Sequence, residues 1–198
     1  MLNGILVFLA AAGAALLAYA ATRPDKFRVE RSTRIDASPE KIFPWIEDLR
    51  AHERWSPYYR KDPAARFAYS GPARGVGAIC AFEGNREVGS GRVTITGSAP
   101  HDRVRMRLQM IKPFAADNDV EYTLAPQRNG RGTEVTWAMN GKQPFLGKLI
   151  GVFLDMDKMI GSDFANGLVN LKALVEGRAT PEMPAPVIES GPQEAHAR

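Results

Sequence analysis

A single cysteine in 198 residues, Cys80, excludes an intramolecular disulfide framework and any zinc or iron–sulfur centre built on several thiolates. The histidines are His52, His101 and His196, too scattered for a histidine-rich metal centre, so neither a metal nor any other cofactor is expected. Absent too are Gly-x-Ser-x-Gly, His-Glu-x-x-His and a glycine-rich phosphate loop. That removes the usual signatures of α/β-hydrolases, zinc peptidases and nucleotide-binding enzymes. Charge of one sign is only mildly in excess, with 26 Lys and Arg against 22 Asp and Glu for a net +4. So small a surplus matters less than where it sits. What the chain does have is 44% hydrophobic residues, enough for one globular domain with a segment at each end.

The first of those segments spans residues 2–21, twenty positions without a charge. At about 1.5 Å per residue it makes roughly 30 Å of helix, the thickness of a bilayer's hydrocarbon core. Arg23, Lys26, Arg28 and Arg31 follow it. A basic flank stays cytoplasmic, which predicts a single-pass anchor with the soluble domain in the cytoplasm. Ala18-Tyr19-Ala20 also has the shape of a signal-peptidase site, and cleavage would leave the domain secreted or periplasmic. The lack of any Lys or Arg before the apolar run favours the anchor. At the other end Pro181, Pro184, Pro186 and Pro192 punctuate a stretch without hydrophobic periodicity, read as a disordered tail. The expected organisation is a transmembrane helix over 1–22, a folded domain over 23–178 and a tail over 179–198.

Within the domain, 27–35 reads as a strand, and Ser38-Pro39-Glu40 as a helix entry with Ser38 placed to cap. Ile42, Phe43, Ile46 and Leu49 form that helix's apolar side, with Pro44 an awkward interior residue. The period then changes to two over 76–82, 88–96, 104–110, 120–124 and 134–139, with turn residues between, which predicts an antiparallel meander. In the sharpest case Val104, Met106, Leu108 and Met110 alternate with Arg103, Arg105, Arg107 and Gln109. One face is apolar, and it needs a cover. Leu146, Leu149, Ile150, Phe153, Met156, Ile160, Phe164, Leu168, Leu171 and Val175 recur at helical spacing and predict one long helix over about 145–176. Lys148, Asp155, Lys158, Asp163 and Lys172 are expected on its solvated side. Strands closed by one long helix give an α+β fold, a curved antiparallel sheet gripping the C-terminal helix.

Several stretches in order along the domain carry a family resemblance. They are Ile35-Asp36-Ala37-Ser38-Pro39-Glu40, Trp55-Ser56-Pro57, Tyr69-Ser70-Gly71-Pro72, Glu83-Gly84-Asn85, Gly89-Ser90-Gly91, Lys112-Pro113-Phe114, Val135-Thr136-Trp137-Ala138-Met139 and Met156-Asp157-Lys158-Met159-Ile160-Gly161. The chain resembles the polyketide cyclase/dehydrase and lipid-transport branch of the START-like (SRPBCC), Bet v 1-like helix-grip superfamily. That resemblance implies a cavity between sheet and C-terminal helix that holds an apolar molecule. On this reading Phe82, Met106, Leu108, Met110, Tyr122, Trp137 and Met139 line the sheet wall. Phe153, Met156 and Ile160 line the helix wall, and Trp55 and Tyr58 guard the entrance.

Candidate reacting groups are scarce, and no catalytic residue is assigned. Ser90 lies between glycines in a strand pattern, where a bulge or a close approach is expected rather than a nucleophile turn. His101 sits in a Pro-Asp turn, Glu83 alternates with Phe82 and should face outward, and Cys80 shares the apolar side as an inert thiol. Asp157 is expected in a helix-surface ion network with Asp155 and Lys158. The Arg103, Arg105, Arg107 stripe, with Arg128 and Arg131 nearby, lacks interleaved aromatics, so no nucleic-acid partner is expected; anionic headgroups or a merely solvated face fit it better. The reading is a membrane-tethered binder, transporter or sensor of a hydrophobic small molecule or lipid. The alternatives are a cyclase- or hydrolase-type enzyme on an apolar substrate, or a tethered adaptor for an unidentified protein.

Overall fold

Strict alternation makes β5 (Arg103–Lys112) the organising strand, because every second side chain must leave water. The computed structural model describes residues 2–127, 132–153 and 155–178, without the side chains of Leu2, Asn3, Leu6, Val7, Phe8, Leu146, Ile150, Phe153 and Met156. Arg128 and Arg131 and the expected tail lie outside the described residues. Before β5 come β1 (Lys26–Ile35), β2 (Arg66–Ser70), β3 (Ile79–Glu83) and β4 (Ser90–Ala99); after it come β6 (Ala116–Pro126) and β7 (Thr133–Lys142). All pair antiparallel in the order β1-β7-β6-β5-β4-β3-β2, a meander closed by β1 against β7. Strand β2 escapes the sequence reading because five residues with only Phe67 and Tyr69 on the packed side are too few for a period to show.

The outer face is solvated and internally paired. Arg105 Nε lies 2.9 Å and Arg103 Nε 3.8 Å from the Glu121 carboxylate, and Arg107 binds Asp117. The arginine stripe is thus answered by acids on β6, which leaves it little charge for an anionic partner.

Helix α1 (Leu2–Thr22) precedes the sheet, and α2 (Pro39–Glu47) follows β1. Ser38 has the extended backbone of an N-cap but makes no capping hydrogen bond, contrary to expectation. Its hydroxyl instead bonds the Glu40 carboxyl, and that bond is the main cause holding Glu40 below its ordinary pKa. Helix α2 passes through Pro44 and still buries Ile42, Phe43 and Ile46.

The single long helix expected over 145–176 is in fact two, α3 (Phe145–Phe153) and α4 (Met156–Val175). Between them Asp155 takes φ −78° and ψ 92° and caps α4, its carboxylate accepting the Lys158 N–H at 2.9 Å. Apolar spacing runs unbroken across this junction, so periodicity alone hides a break that a cap creates. Lys148 is a second correction: it is 8% exposed rather than solvated, and its ammonium lies 2.5 Å from Asp25. That contact lowers the Asp25 pKa and pins α3 beside the end of α1, against which α3 packs.

The core beneath α4 is aromatic. Trp137 stacks on Phe164 at 4.1 Å between ring centroids, with Tyr122 at 5.0 Å and Trp55 at 5.7 Å. Gly167 makes the approach possible, since a Cβ there would sit 2.7 Å from Trp137 Cζ3. Among the described side chains no α1 residue belongs to this core cluster. Among the described residues no helix is long and apolar enough to cross a membrane. The span expected over 1–22 depends in part on Leu6, Val7 and Phe8, whose side chains lie outside the described set.

Candidate ligand-binding site

Directly opposed residues of antiparallel strands share a face, so the register sorts the inner surface into rows. One row runs Val104, Tyr122, Trp137 and Arg31; the next runs Ile95, Met106, Val120, Met139 and Val29. Apart from Arg31 these residues are buried. Two further rows lie toward the end of the sheet where β1 begins. They are Cys80, Val93, Leu108, Asn118, Gly141 and Phe27, then Phe82, Gly91, Met110 and Ala116. Here Phe27, Phe82, Val93, Leu108 and Met110 face inward yet are only half-buried.

The position of α4 explains the difference. Arg31 binds the Asp157 carboxylate at 3.2 and 2.9 Å and the Asp157 carbonyl at 3.1 Å, fixing the first turn of α4 over β1. At the other end the Asp36 N–H donates to Glu176 at 2.7 Å, and Lys172 reaches the Arg34 carbonyl at 2.6 Å. Helix α4 therefore runs from the Trp137 row away from the start of β1, and the Leu108 and Met110 rows extend past its N-terminus. Phe27, Phe82, Val93, Leu108 and Met110 thus form a partly exposed apolar strip, a shallow trough of the inner face past the N-terminus of α4, with Ile160 half-buried beside it. The expected partners of Asp157, Asp155 and Lys158, are replaced by Arg31 across the layers, and Arg31 is the main cause lowering the Asp157 pKa. Gly161 leaves room for the Arg31 guanidinium, which a Cβ there would displace. Asp157→Asn should leave the urea midpoint nearly unchanged, as the pair is largely exposed. It should also speed amide exchange selectively over 156–160; uniform acceleration across the domain would contradict this anchoring role.

Of the expected lining, Phe82, Leu108 and Met110 fall in the trough, with Ile160 at its edge. Met106, Tyr122, Trp137 and Met139 belong to the buried rows beneath and beyond. Trp55 is not at an entrance: it is 0% exposed and its Nε1–H donates to the Trp45 carbonyl at 3.0 Å. Tyr58 remains half-buried on the segment between Trp55 and β2, edge-on to Trp137 at 6.4 Å. Lys61 on that segment binds Asp163 of α4 at 2.6 Å. The side chains of Phe153 and Met156 lie outside the described residues. Sequence reasoning missed Phe27, Val93 and Asn118. Val93 was within reach through its alternation with Gly91 and Ile95, but Phe27 and Asn118 enter the trough only through pairing with Gly141.

The candidate reacting groups are placed as follows. Glu83 is exposed on the outer side. His101 occupies a turn at φ 62°, edge-on to Phe43. Cys80 is buried, burial raises its pKa, and the Tyr59 hydroxyl lies 3.6 Å from its Sγ. Ser90 sits at a register shift, and the preceding Gly89, at φ 72°, passes so close to the Lys112 carbonyl that no Cβ would fit. Among the described residues no group of three His, Cys, Asp or Glu is arranged to hold a metal ion. Two surface depressions are present. One of about 590 Å³ is walled by Arg92, Gln109, Ile111 and Asp117 of the outer face and reaches Gly91, Met110 and Ala116 of the fourth row at the edge of the trough, and one of about 400 Å³ separates Pro57 and Arg60 from Asn166 and Asn170 of α4.

The profile of the family described as "Polyketide cyclase / dehydrase and lipid transport" matches residues 26–176. No curated protein matches the sequence. Among solved structures, protein CV1439 from Chromobacterium violaceum is similar at 18% identity with a TM-score of 0.53, covering 78% of this chain and 99% of that one. Truncated norcoclaurine synthase from Thalictrum flavum is similar at 9% identity and TM-score 0.58, over 76% of this chain and 93% of that one. The di-domain ARO/CYC StfQ of the steffimycin biosynthetic pathway is similar at 12% identity and TM-score 0.57, over 77% of this chain but 51% of its own length. At these identities the likeness is one of fold.

Proposed function

Since the chain belongs to the polyketide cyclase / dehydrase and lipid transport family, we propose that it binds a hydrophobic small molecule or lipid in the open trough beside the N-terminus of α4. The carrying observation is the half-burial of Phe27, Phe82, Val93, Leu108 and Met110 on the inner face. Large side chains that point into a concavity and still touch solvent are what a removable apolar occupant would cover. Met110 adds an unbranched thioether able to follow an irregular ligand. Helix α1 would tether the domain to a membrane with the domain on the cytoplasmic side. Its uncharged sequence and its exposed Ile5, Leu9, Leu17 and Tyr19 support this, as does the basic flank that follows.

The test is native mass spectrometry of the full chain released from detergent after purification from its own cells. An apolar adduct at one per chain is expected, and Leu108→Trp, which fills the trough, should remove it while leaving the urea midpoint nearly unchanged. No adduct on the parent, or an equal adduct on the variant, would refute the site. The names of two structural neighbours, norcoclaurine synthase and the ARO/CYC StfQ, make a cyclase-type enzyme the second reading. It would move to first place if the retained molecule were recovered chemically altered.

A further inference from the structure

Three of the exposed large apolar residues of the domain lie together at one end of the sheet, Ile111 at 67% exposed, Phe114 at 63% and Phe145 at 48%, whereas Val76, Met159 and Val169 stand singly elsewhere. The hairpin between β5 and β6 forms part of that end, its residues 111–116 being exposed throughout with Lys112 their one charge. The register fixes what else lies there. Met110 opposes Ala116 at the base of the hairpin, Lys26 opposes Lys142 where β1 begins and β7 ends, and Gly141 opposes Asn118 next to them. Helix α1 enters the domain at this end, and α3 leaves β7 here. The Gln143 N–H donates to the Asp25 carbonyl at 2.8 Å, and Lys148 holds the Asp25 carboxylate.

Charge at this end is also one-sided. Arg23, Lys26, Lys112 and Lys142 are exposed, and none forms a salt bridge among the described residues. The acids beside them, Asp25 and Asp117, are held chiefly by Lys148 and Arg107, with Lys142 a weaker neighbour of Asp117. Glu83 and Glu87 are exposed at the neighbouring β3–β4 turn, on the far side of the hairpin from α1.

We infer that this end of the sheet is a docking surface for an anionic bilayer. Phe114, Ile111 and Phe145 enter the interface, and Arg23, Lys26, Lys112 and Lys142 lie among the headgroups. The inference rests on the tether reading of α1, and it adds an orientation that a tether alone does not supply. Packing of α3 against the end of α1 fixes one corner of the domain to the tether; a basic rim around protruding apolar side chains brings the hairpin end down to the surface as well. Orientation bears on function because the trough opens at the same end. Met110 lines the trough and Ile111 is the next residue on the hairpin, so a docked domain presents the mouth of the trough to the lipid surface. An apolar ligand could then pass between bilayer and trough without exposing its hydrocarbon to water.

The experiment uses the full chain in a Cys80→Ala background, reconstituted in vesicles of phosphatidylcholine with or without phosphatidylglycerol. An environment-sensitive fluorophore is attached through Phe114→Cys or, at the opposite end of the sheet, through Ala99→Cys. Lipids carrying a quencher on the acyl chain report depth. Expected is co-flotation of the chain with the vesicles, together with a blue shift and at least about twofold stronger quenching at position 114 than at 99. The difference should fall when phosphatidylglycerol is omitted, and again with Lys112→Glu and Lys142→Glu combined. Co-flotation with an unquenched probe at 114, or with equal quenching at both positions, overturns the docking surface and leaves the tether standing. Failure to co-float overturns the tether and the docking surface with it. Equal quenching in neutral and anionic vesicles overturns the assignment to an anionic surface.

Discussion

Trp137→Ala is expected to destabilise the domain by about 3–5 kcal/mol, the usual range for removing a large buried aromatic. Four rings lose contact with it at once: Phe164 stacked at 4.1 Å, Tyr122 at 5.0 Å, Trp55 at 5.7 Å and Tyr58 at 6.4 Å. Helix α4 then loses its main apolar contact with the middle of the sheet. Trp137→Phe should cost much less, under about 2 kcal/mol. It keeps the stacking and removes an indole N–H that is buried without a hydrogen-bond partner, a group whose desolvation alone costs about 1–3 kcal/mol. Leu108→Ala and Met110→Ala, at the half-buried end of the same inner face, should also stay below about 2 kcal/mol because solvent already occupies one side of each. Urea midpoints measured on the chain from Arg23 onward, which retains the whole core cluster, give all four values. If Leu108→Ala proved as costly as Trp137→Ala, the open trough would in fact be filled core.

Acid should unfold the domain partly through one residue. His52 is buried, its ring Nε2 lies 2.8 Å from the Ile46 carbonyl, and burial pushes its pKa down to about 4 from 6.5. In the unfolded chain His52 takes up a proton near pH 6.5, whereas in the folded protein it does so only near pH 4. The unfolded state therefore binds more protons between those values, and stability rises with pH across that window. The contribution is fully present above about pH 6.5 and lost as pH falls toward 4, about 3 kcal/mol in all. Urea midpoints at pH 7, 6, 5 and 4 should fall accordingly. His52→Gln, whose amide can still donate to the Ile46 carbonyl, should flatten this part of the profile. An unchanged slope in that variant would assign the acid sensitivity to other groups.

Much of the architecture was legible because it depends on local periodicity. Val104, Met106, Leu108 and Met110 could only be one face of a strand, and Phe164, Leu168 and Leu171 only one face of a helix. Glycines flanking Ser90 announced the irregularity found between β4 and β5. Trp55 illustrates the limit. The order of motifs placed it near the candidate site, but whether its ring guards an opening or fills the centre depends on Tyr122 and Trp137, far along the chain.

The same division runs through the candidate site. Sequence alone determined that an apolar sheet face exists, that a C-terminal helix covers it and that an uncharged helix precedes it, since each follows from the spacing of residues that must leave water. Tertiary structure decided how much of that face the helix covers. The decision rests on one cap and one ion pair: Asp155 breaks the helix within an unbroken apolar run and starts α4 afresh, and Arg31 holds Asp157 against β1. Neither leaves a periodic signal. A cap depends on backbone dihedrals, and the Arg31–Asp157 contact joins residues 126 apart in the chain, so only the folded molecule could show that the Leu108 and Met110 rows extend past the helix.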